Sequence, residues 1–336
     1  MKEVNFDLLI IDEACQCTEL TALIPFCYNI KQSILIGDPK QLPPTIKSYK
    51  VEKCGYGKSL FERIQEGSPS SEIYLLNTQY RMHPDISKLS SKCFYEGKII
   101  DGPNVQSTNW IKKWIKSKDS NFGPVRFYNV KGFEQNYRGS FCNEEEVKQV
   151  VNFISDLLQT YPDICFHNKI SIISPYSAQV YHIKRKLKEM YKKTLDSLWM
   201  YMKITNDKNY KFYNDVVEIG SDERYKKFLS DENIFDHISV STVDSFQGQE
   251  NDIVIISTVR SNGEKIGFLK DRRRLNVSIS RSRYSLIIFG DSSTLITNND
   301  WKNIITEIKN MGSFKYVNIF TNIYIYIFFF FFQNNY

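Results

Sequence analysis

The stretch that most constrains the fold is Phe6–Gln16, FDLLIIDEACQ, an apolar run ending in two adjacent carboxylates, Asp12 and Glu13. A run this short and this uniformly apolar suits a buried strand of a parallel sheet. In open α/β sheets, ligands bind at the turn that follows the carboxyl end of such a strand. Two acids there suggest phosphoryl transfer, with Asp12 holding Mg²⁺ directly or through water and Glu13 activating the attacking water. The plainer alternative is a strand followed by an acid-capped helix, because carboxylates favour helix N-termini. Taken alone, these residues fit the plainer alternative better, and the segments that follow decide between the two.

Thr18–Tyr28 reads as helical, and Ile34–Ile36 as a second buried strand, broken sharply by Gly37-Asp38-Pro39. Gln41 then sits on a loop stiffened by Pro43 and Pro44. A strand ending beside the first would bring the Gln41 amide to the same phosphate, although such Gly and Pro residues are also ordinary turn punctuation.

Composition sets wide bounds. A chain of 336 residues has room for about two domains. Its 42% hydrophobic and 24% charged content is that of a core-forming globular protein. A net charge of +6 permits a nucleic-acid partner without requiring one. Seven cysteines form no CxxC pair and four histidines are scattered, which argues against a disulfide framework or zinc site and for a reducing cytosol or nucleus.

DEACQ, GDPKQLPPT and QYRMHP (Gln79–Pro84) resemble motifs II, III and IV of superfamily 1B helicases; STVDSFQGQENDIVIISTVRSN and RRLNVSISRSR resemble motifs V and VI. Five such blocks in order, spread over Asp12–Arg283, make a specific match. The intervening DEACQCTEL, GYGKSLFERI, YEGKIIDGPN and IGFLKDRRRLNVSISRSR are most similar to the senataxin branch, related to the helicase of nonsense-mediated decay. The resemblance implies an α/β fold of two RecA-like P-loop NTPase lobes with parallel sheets, the first lobe incomplete. The expected division is 1–118 for the first lobe, 119–312 for the second and 313–336 for a low-complexity tail.

The resemblance also assigns residues. Asp12 would hold Mg²⁺, Glu13 would polarise water, and Gln41, Arg81 and Arg281 would surround the γ-phosphate of ATP, Arg281 as an arginine finger supplied in cis. Tyr80 would stack on adenine, and Gly248 and Glu250 would face the nucleotide. Pro175 and Tyr176, with Ser177 and Gln179 close behind, match the segment that grips a single strand's backbone, though a helix cap after a strand explains them nearly as well. Ser241, Thr242 and Asp244 follow a strand and would hold nucleic-acid phosphates. Ser280-Arg281-Ser282 stands where threonine-arginine-alanine is usual, a departure that keeps the guanidinium. Arg274 and Arg283 have a solvated or a catalytic role open to them. The implied partners are single-stranded RNA or DNA, RNA–DNA hybrids and proteins of transcription or RNA processing. The implied location is the nucleus, with the cytoplasm open as a second site.

Gly55-Tyr-Gly-Lys-Ser59 imitates the end of a phosphate-binding loop, GxxxxGK[ST], but Glu52 occupies the first glycine position and no apolar strand leads into it. It is expected to be a loop entering a helix over Ser59–Gln65. No other sequence supplies the loop's lysine, so this chain is expected to be inactive alone, as the C-terminal portion of a helicase. A non-catalytic strand-binding module and an inactive fragment remain the alternatives.

In the second lobe, Val125–Val130 reads as an alternating strand, Asn143–Tyr161 as an amphipathic helix, Lys169–Tyr176 as a buried strand, Val180–Lys193 as a basic helix and Leu286–Gly290 as the last strand. Residues 194–236 are rich in Lys, Asn, Asp and Tyr and read as a partly disordered insertion. Ile319–Phe332 is a mostly apolar run of 14 residues, short of the ~20 that span a bilayer. No membrane association is expected, because such a Phe/Ile-rich run also arises from translated AT-rich non-coding sequence.

Overall fold

The computed structural model describes residues 5–67, 73–107, 110, 112–115, 121–161, 169–205, 238–263 and 266–317. Of the insertion expected over 194–236, residues 194–205 are helical, while the rest lies outside the described residues, as does the tail beyond 317. The fold is α/β with parallel sheets, as expected. The chain divides into two compact units, one made of Met1–Thr78 with Asp271–Val277, the other of Gln79–Lys270 with Ser278–Tyr336.

In the first unit β1 (Leu8–Ile11) pairs in parallel with β2 (Gln32–Leu35), Leu8 opposite Gln32 and Ile11 opposite Leu35. Between them runs α1 (Glu19–Leu23), capped by the Thr18 hydroxyl. Both strands were expected to be buried, but Leu8, Ile10, Ile34 and Ile36 are 41–56% exposed. Among the described residues β1 and β2 pair only with each other, so no wider sheet forms around them. The helices α2 (Tyr49–Lys53) and α3 (Leu60–Gly67) complete this part of the unit.

The second unit opens with β3 (Thr78–Gln79), α4 (Pro84–Phe94), β4 (Ile100–Asp101) and α5 (Pro103–Gln106). Its frame is a six-stranded sheet in the order β12-β5-β11-β10-β8-β9, with every neighbour pair parallel. The strands are β5 (Val125–Asn129), β8 (Ile170–Ser174), β9 (Ile238–Thr242), β10 (Asn251–Ser257), β11 (Ser282–Gly290) and β12 (Phe314–Tyr316). An antiparallel hairpin, β6 (Glu134–Tyr137) and β7 (Ser140–Asn143), precedes α6 (Glu144–Thr160). The α7 helix (Ser177–Thr205) follows β8, and α8 (Arg272–Ile279) leads into β11. The short α9 (Ser292–Leu295) and then α10 (Asn299–Asn310) come before β12.

One sheet face packs on α6 and α7 through Val147, Val151, Ile154, Ile183 and Leu187, which meet Ile172, Ile255, Ile287 and Phe289. The other face meets α4 and α10. With helices on both faces, β5 is buried at all five positions instead of alternating. β11 is not the last strand, because β12 adds to the outer edge of β5 and Phe314 stacks on Phe127 with ring centroids 5.3 Å apart. The basic helix extends past Lys193 to Thr205.

Glu146 is fully buried in the first turn of α6. Its carboxylate accepts from the Val259 N–H at 2.9 Å and from the Ser257 hydroxyl at 2.6 Å, just past the carboxyl end of β10. Burial outweighs those donors and pushes its pKa up to about 8. A carboxyl whose folded pKa is raised stays protonated while the unfolded chain ionises, so stability falls as pH rises from the unfolded value to about 8. Glu146→Gln should remove this dependence. Relative to wild type its stability should rise with pH across that window, by at most about 1.4 kcal/mol per unit. Denaturant melts at several pH values test it, and parallel curves for the two proteins would refute it.

Candidate nucleotide site

In the first unit the acid pair stands where the sequence put it, at the carboxyl end of β1. Asp12 and Glu13 are both exposed, and the Asp12 Oδ1 accepts from the Glu13 N–H at 2.9 Å. Glu13 has φ 52° and ψ 37°, a left-handed conformation uncommon for a residue with a side chain. Its carboxylate is held by the Gln16 amide at 2.7 Å. The motif III loop follows the adjacent end of β2: the Ile36 N–H donates to Ile11 and the Ile36 carbonyl accepts from Ala14 at 2.8 Å. Asp38 shapes this loop by accepting from the Lys40 N–H and the Gln41 side-chain amide, both at 2.9 Å. A Cβ on Gly37 would lie 2.9 Å from both the backbone nitrogen and the Sγ of Cys15, so only glycine fits where the two motifs touch.

The false phosphate loop resolves as expected into a helix entry. The Ser59 hydroxyl accepts from the Glu62 N–H at 3.1 Å, and Glu62 returns to the Ser59 N–H at 3.3 Å, a reciprocal capping box on α3. Glu62 also binds Arg273, and Asn276 donates to the Lys40 carbonyl at 2.9 Å. Within α8, Arg273 thus braces α3 and Asn276 braces the motif III loop, roles the motif pattern did not reveal.

In the second unit Gln79, Tyr80, Arg81, Met82, Trp110, Glu250 and Arg283 line one cavity of about 520 Å³. Tyr80 is 59% exposed, and Gly102 is needed beneath it because a Cβ there would overlap the ring. Gln79 fixes the turn by accepting from the N–H groups of Arg81 and Met82, at 2.9 and 2.7 Å. The Arg81 guanidinium pairs with Glu250 and donates to the Ser280 carbonyl at 3.3 Å. Arg283 reaches the same carboxylate, its Nε donating to Oε1 at 2.9 Å. Burial alone would raise the Glu250 pKa, but the two guanidinium groups hold it below the usual carboxylate range.

The remaining assigned residues lie elsewhere. Arg281 is only 5% exposed and does not line the cavity, although its carbonyl accepts from Asn251 at 3.0 Å and so sits beside Glu250. Gly248 makes the turn before Glu250 at φ 74°. At the carboxyl ends of β8 and β9, Pro175 is half-buried and Asp244 exposed, while Thr242 accepts from the Ser245 N–H at 3.3 Å. Ser241, next to last in β9, is half-buried. The Tyr176 ring is buried against Phe141 and Phe268, and Phe268 itself is 59% exposed. The sequence reading missed Trp110 as a cavity wall, and it left the role of Arg283 open. The signal for Arg283 was its spacing: two residues past Arg281, it opens a strand whose first residues face Glu250.

A family described as AAA domain matches residues 56–293, and a second family with the same description matches residues 1–49. The chain is 38% identical over 306 residues to Helicase sen1 of Schizosaccharomyces pombe, covering 90% of this chain and 16% of that protein. It is 36% identical over 307 residues to Probable helicase MAGATAMA 3 of Arabidopsis thaliana, 90% of this chain and 32% of that protein. It is 32% identical over 322 residues to Probable helicase senataxin of Homo sapiens, 92% of this chain and 10% of that protein. The chain therefore spans a third or less of the length of these curated relatives.

Gly37→Ala should force Cys15 and the motif III loop apart, costing about 1–3 kcal/mol. A thermal melt checks it, and an unchanged midpoint would show that the contact yields freely.

Proposed function

Because the chain belongs to the AAA-domain superfamily 1 helicases, on their senataxin branch, we propose that it carries the motor residues of an ATP-dependent helicase. The motor would move 5′→3′ along a single strand and open RNA or RNA–DNA hybrids. The observation that carries the reading is the cavity of the second unit. Residues near 80, 250 and 283 converge on an exposed aromatic face flanked by two guanidinium groups and one carboxylate, the donor set a nucleotide needs.

In this reading Tyr80 stacks on the base, Gly248 and Glu250 face the sugar side, and Arg81 donates to the phosphates. Arg281 stabilises charge on the transferred group, and Gln41 senses it. Glu13 orients and deprotonates water. The exposed Asp12 carboxylate, with one oxygen bonded to the Glu13 N–H, suits Mg²⁺, which keeps several waters and takes few protein ligands. Bound Mg²⁺ would neutralise charge on the phosphates. Pro175, Tyr176, Ser241, Thr242 and Asp244 form the strand-contacting set, in which hydroxyls and backbone N–H groups meet phosphates with little readout of base identity. Nuclear location and partners in transcription or RNA processing follow from the same kinship. Among the described residues no helix is long and apolar enough to cross a membrane.

The test measures anisotropy of a labelled single-stranded RNA, with and without a non-hydrolysable ATP analogue, over a range of salt. Expected is binding that weakens steeply with salt and that the analogue shifts, with Arg81→Ala abolishing the shift. Binding indifferent to nucleotide would instead make the chain a passive strand-binding module. Because the sequence carries no GxxxxGK[ST] cradle, turnover should be slight. Strand-stimulated turnover that Glu13→Gln removes would overturn that expectation.

A further inference from the structure

Glu250 serves two arginines at once. Its Oε2 holds Arg81 and its Oε1 holds Arg283, which approaches with both Nε and Nη2. Two cations on one anion leave the cavity with a net positive charge, on a wall that also presents Tyr80. If Arg81 turns its Nε edge to a phosphate in the nucleotide reading above, on which this inference rests, that edge leaves Glu250, because one edge of a planar guanidinium cannot face both acceptors. Leaving a half-buried carboxylate without a cation is costly. Arg283 removes that cost, since its own two-pronged contact uses the other oxygen and does not depend on Arg81.

We propose that Arg283 is a positioning residue of the nucleotide site. It acts as the standing counter-cation of Glu250, and so lets Arg81 exchange a carboxylate for a phosphate. In the structure Arg81 rests on Glu250 and on the Ser280 carbonyl. With phosphate present, Arg81 turns away while Arg283 stays and keeps Glu250 ionised. The side chains of Arg81, Glu250 and Arg283 are 40, 28 and 45% exposed, so solvent screens the exchange and its expected effect is moderate.

The probes are inorganic tripolyphosphate and adenosine, titrated calorimetrically into the full chain. Tripolyphosphate lacks a sugar, so any contact of Glu250 with ribose cannot confuse the result. Arg81→Ala should abolish tripolyphosphate binding. Arg283→Ala should weaken it about five- to tenfold and leave adenosine binding unchanged, a split that a general structural defect would not produce. Arg283→Lys should fall between, since it keeps the cation but not the two-pronged contact. The double variant Glu250→Gln with Arg283→Ala should recover tripolyphosphate binding to near wild type, because no uncompensated carboxylate then remains to retain Arg81.

Equal tripolyphosphate affinity in wild type and Arg283→Ala would overturn the proposal, as would a double variant weaker than the single one. Failure of the wild type to bind either probe would overturn the nucleotide reading itself. Circular-dichroism melts confirm that each variant is folded. If Arg283→Ala is not, Arg283→Lys and the double variant decide the outcome.

Discussion

The second unit depends on the parallelism of its sheet. When every strand points the same way, the two ends of the sheet become chemically different places. Glu250, Arg281 and Arg283 gather where β10 and β11 begin, because Asn251 pairs with Ser282 in register. The turn carrying Tyr80 and Arg81 joins them there through the His83 N–H, which donates to the Arg283 carbonyl at 2.7 Å. Pro175, Thr242, Asp244 and Arg260 gather where β8, β9 and β10 end. At about 3.3 Å per residue, the seven residues of β10 set a fixed separation between the charge cluster at one end and the loops of Pro175, Thr242 and Asp244 at the other. Six parallel strands with helices packed on each face keep that separation rigid.

The far end is held by polar groups, which must be satisfied where they are buried. Val259 has φ 74°, a costly conformation for a β-branched residue. Its N–H is claimed by both oxygens of Glu146, at 2.9 Å each, and its carbonyl by the Asn143 amide at 3.1 Å. The same turn aims Arg260 onto Glu134 at 3.0 Å and over the Phe141 ring at 4.4 Å, tying the β6–β7 hairpin to the sheet. Glu146 therefore fixes a turn beside the loops that end β8 and β9, although nothing about the residue itself is exposed.

Much of this was legible in the sequence because the motifs pair residue types with turns. The acid pair at a strand end, the Gly37 break and the Tyr-Arg turn before Pro84 all appear where their local chemistry predicts. Burial was less legible, since periodicity reports which residues are apolar and not what covers them. Ile10 and Ile34 read as core and lie exposed, while Arg126 reads as a polar face and is 6% exposed inside the sheet. The long-range pairings were invisible for a related reason. The contact of Glu62 with Arg273 spans more than two hundred residues, and neither residue type announces its partner. Arg283 was ambiguous because an arginine two residues from another fits a solvated edge as well as a shared carboxylate. Only the three-dimensional position of Glu250 separates the two.

The first unit shows what its strand end can do. Cys15 lies three residues past Asp12, close enough to suggest a nucleophile. Burial pushes its thiol up to about 12, helped by the nearby charges of Glu62 and Asp38. A thiol held that high carries almost no thiolate near neutral pH and is a poor nucleophile. Its packing against Gly37 explains its presence, because the sulfur fills the gap where the motif II and motif III turns meet. The reactive groups left at this end are the exposed carboxylates. Of these, Glu13 is fixed twice, by a left-handed backbone and by the Gln16 amide on its carboxylate. Strain retained at an exposed acid, where an ordinary turn would relieve it, holds that carboxylate in one position at the end of β1.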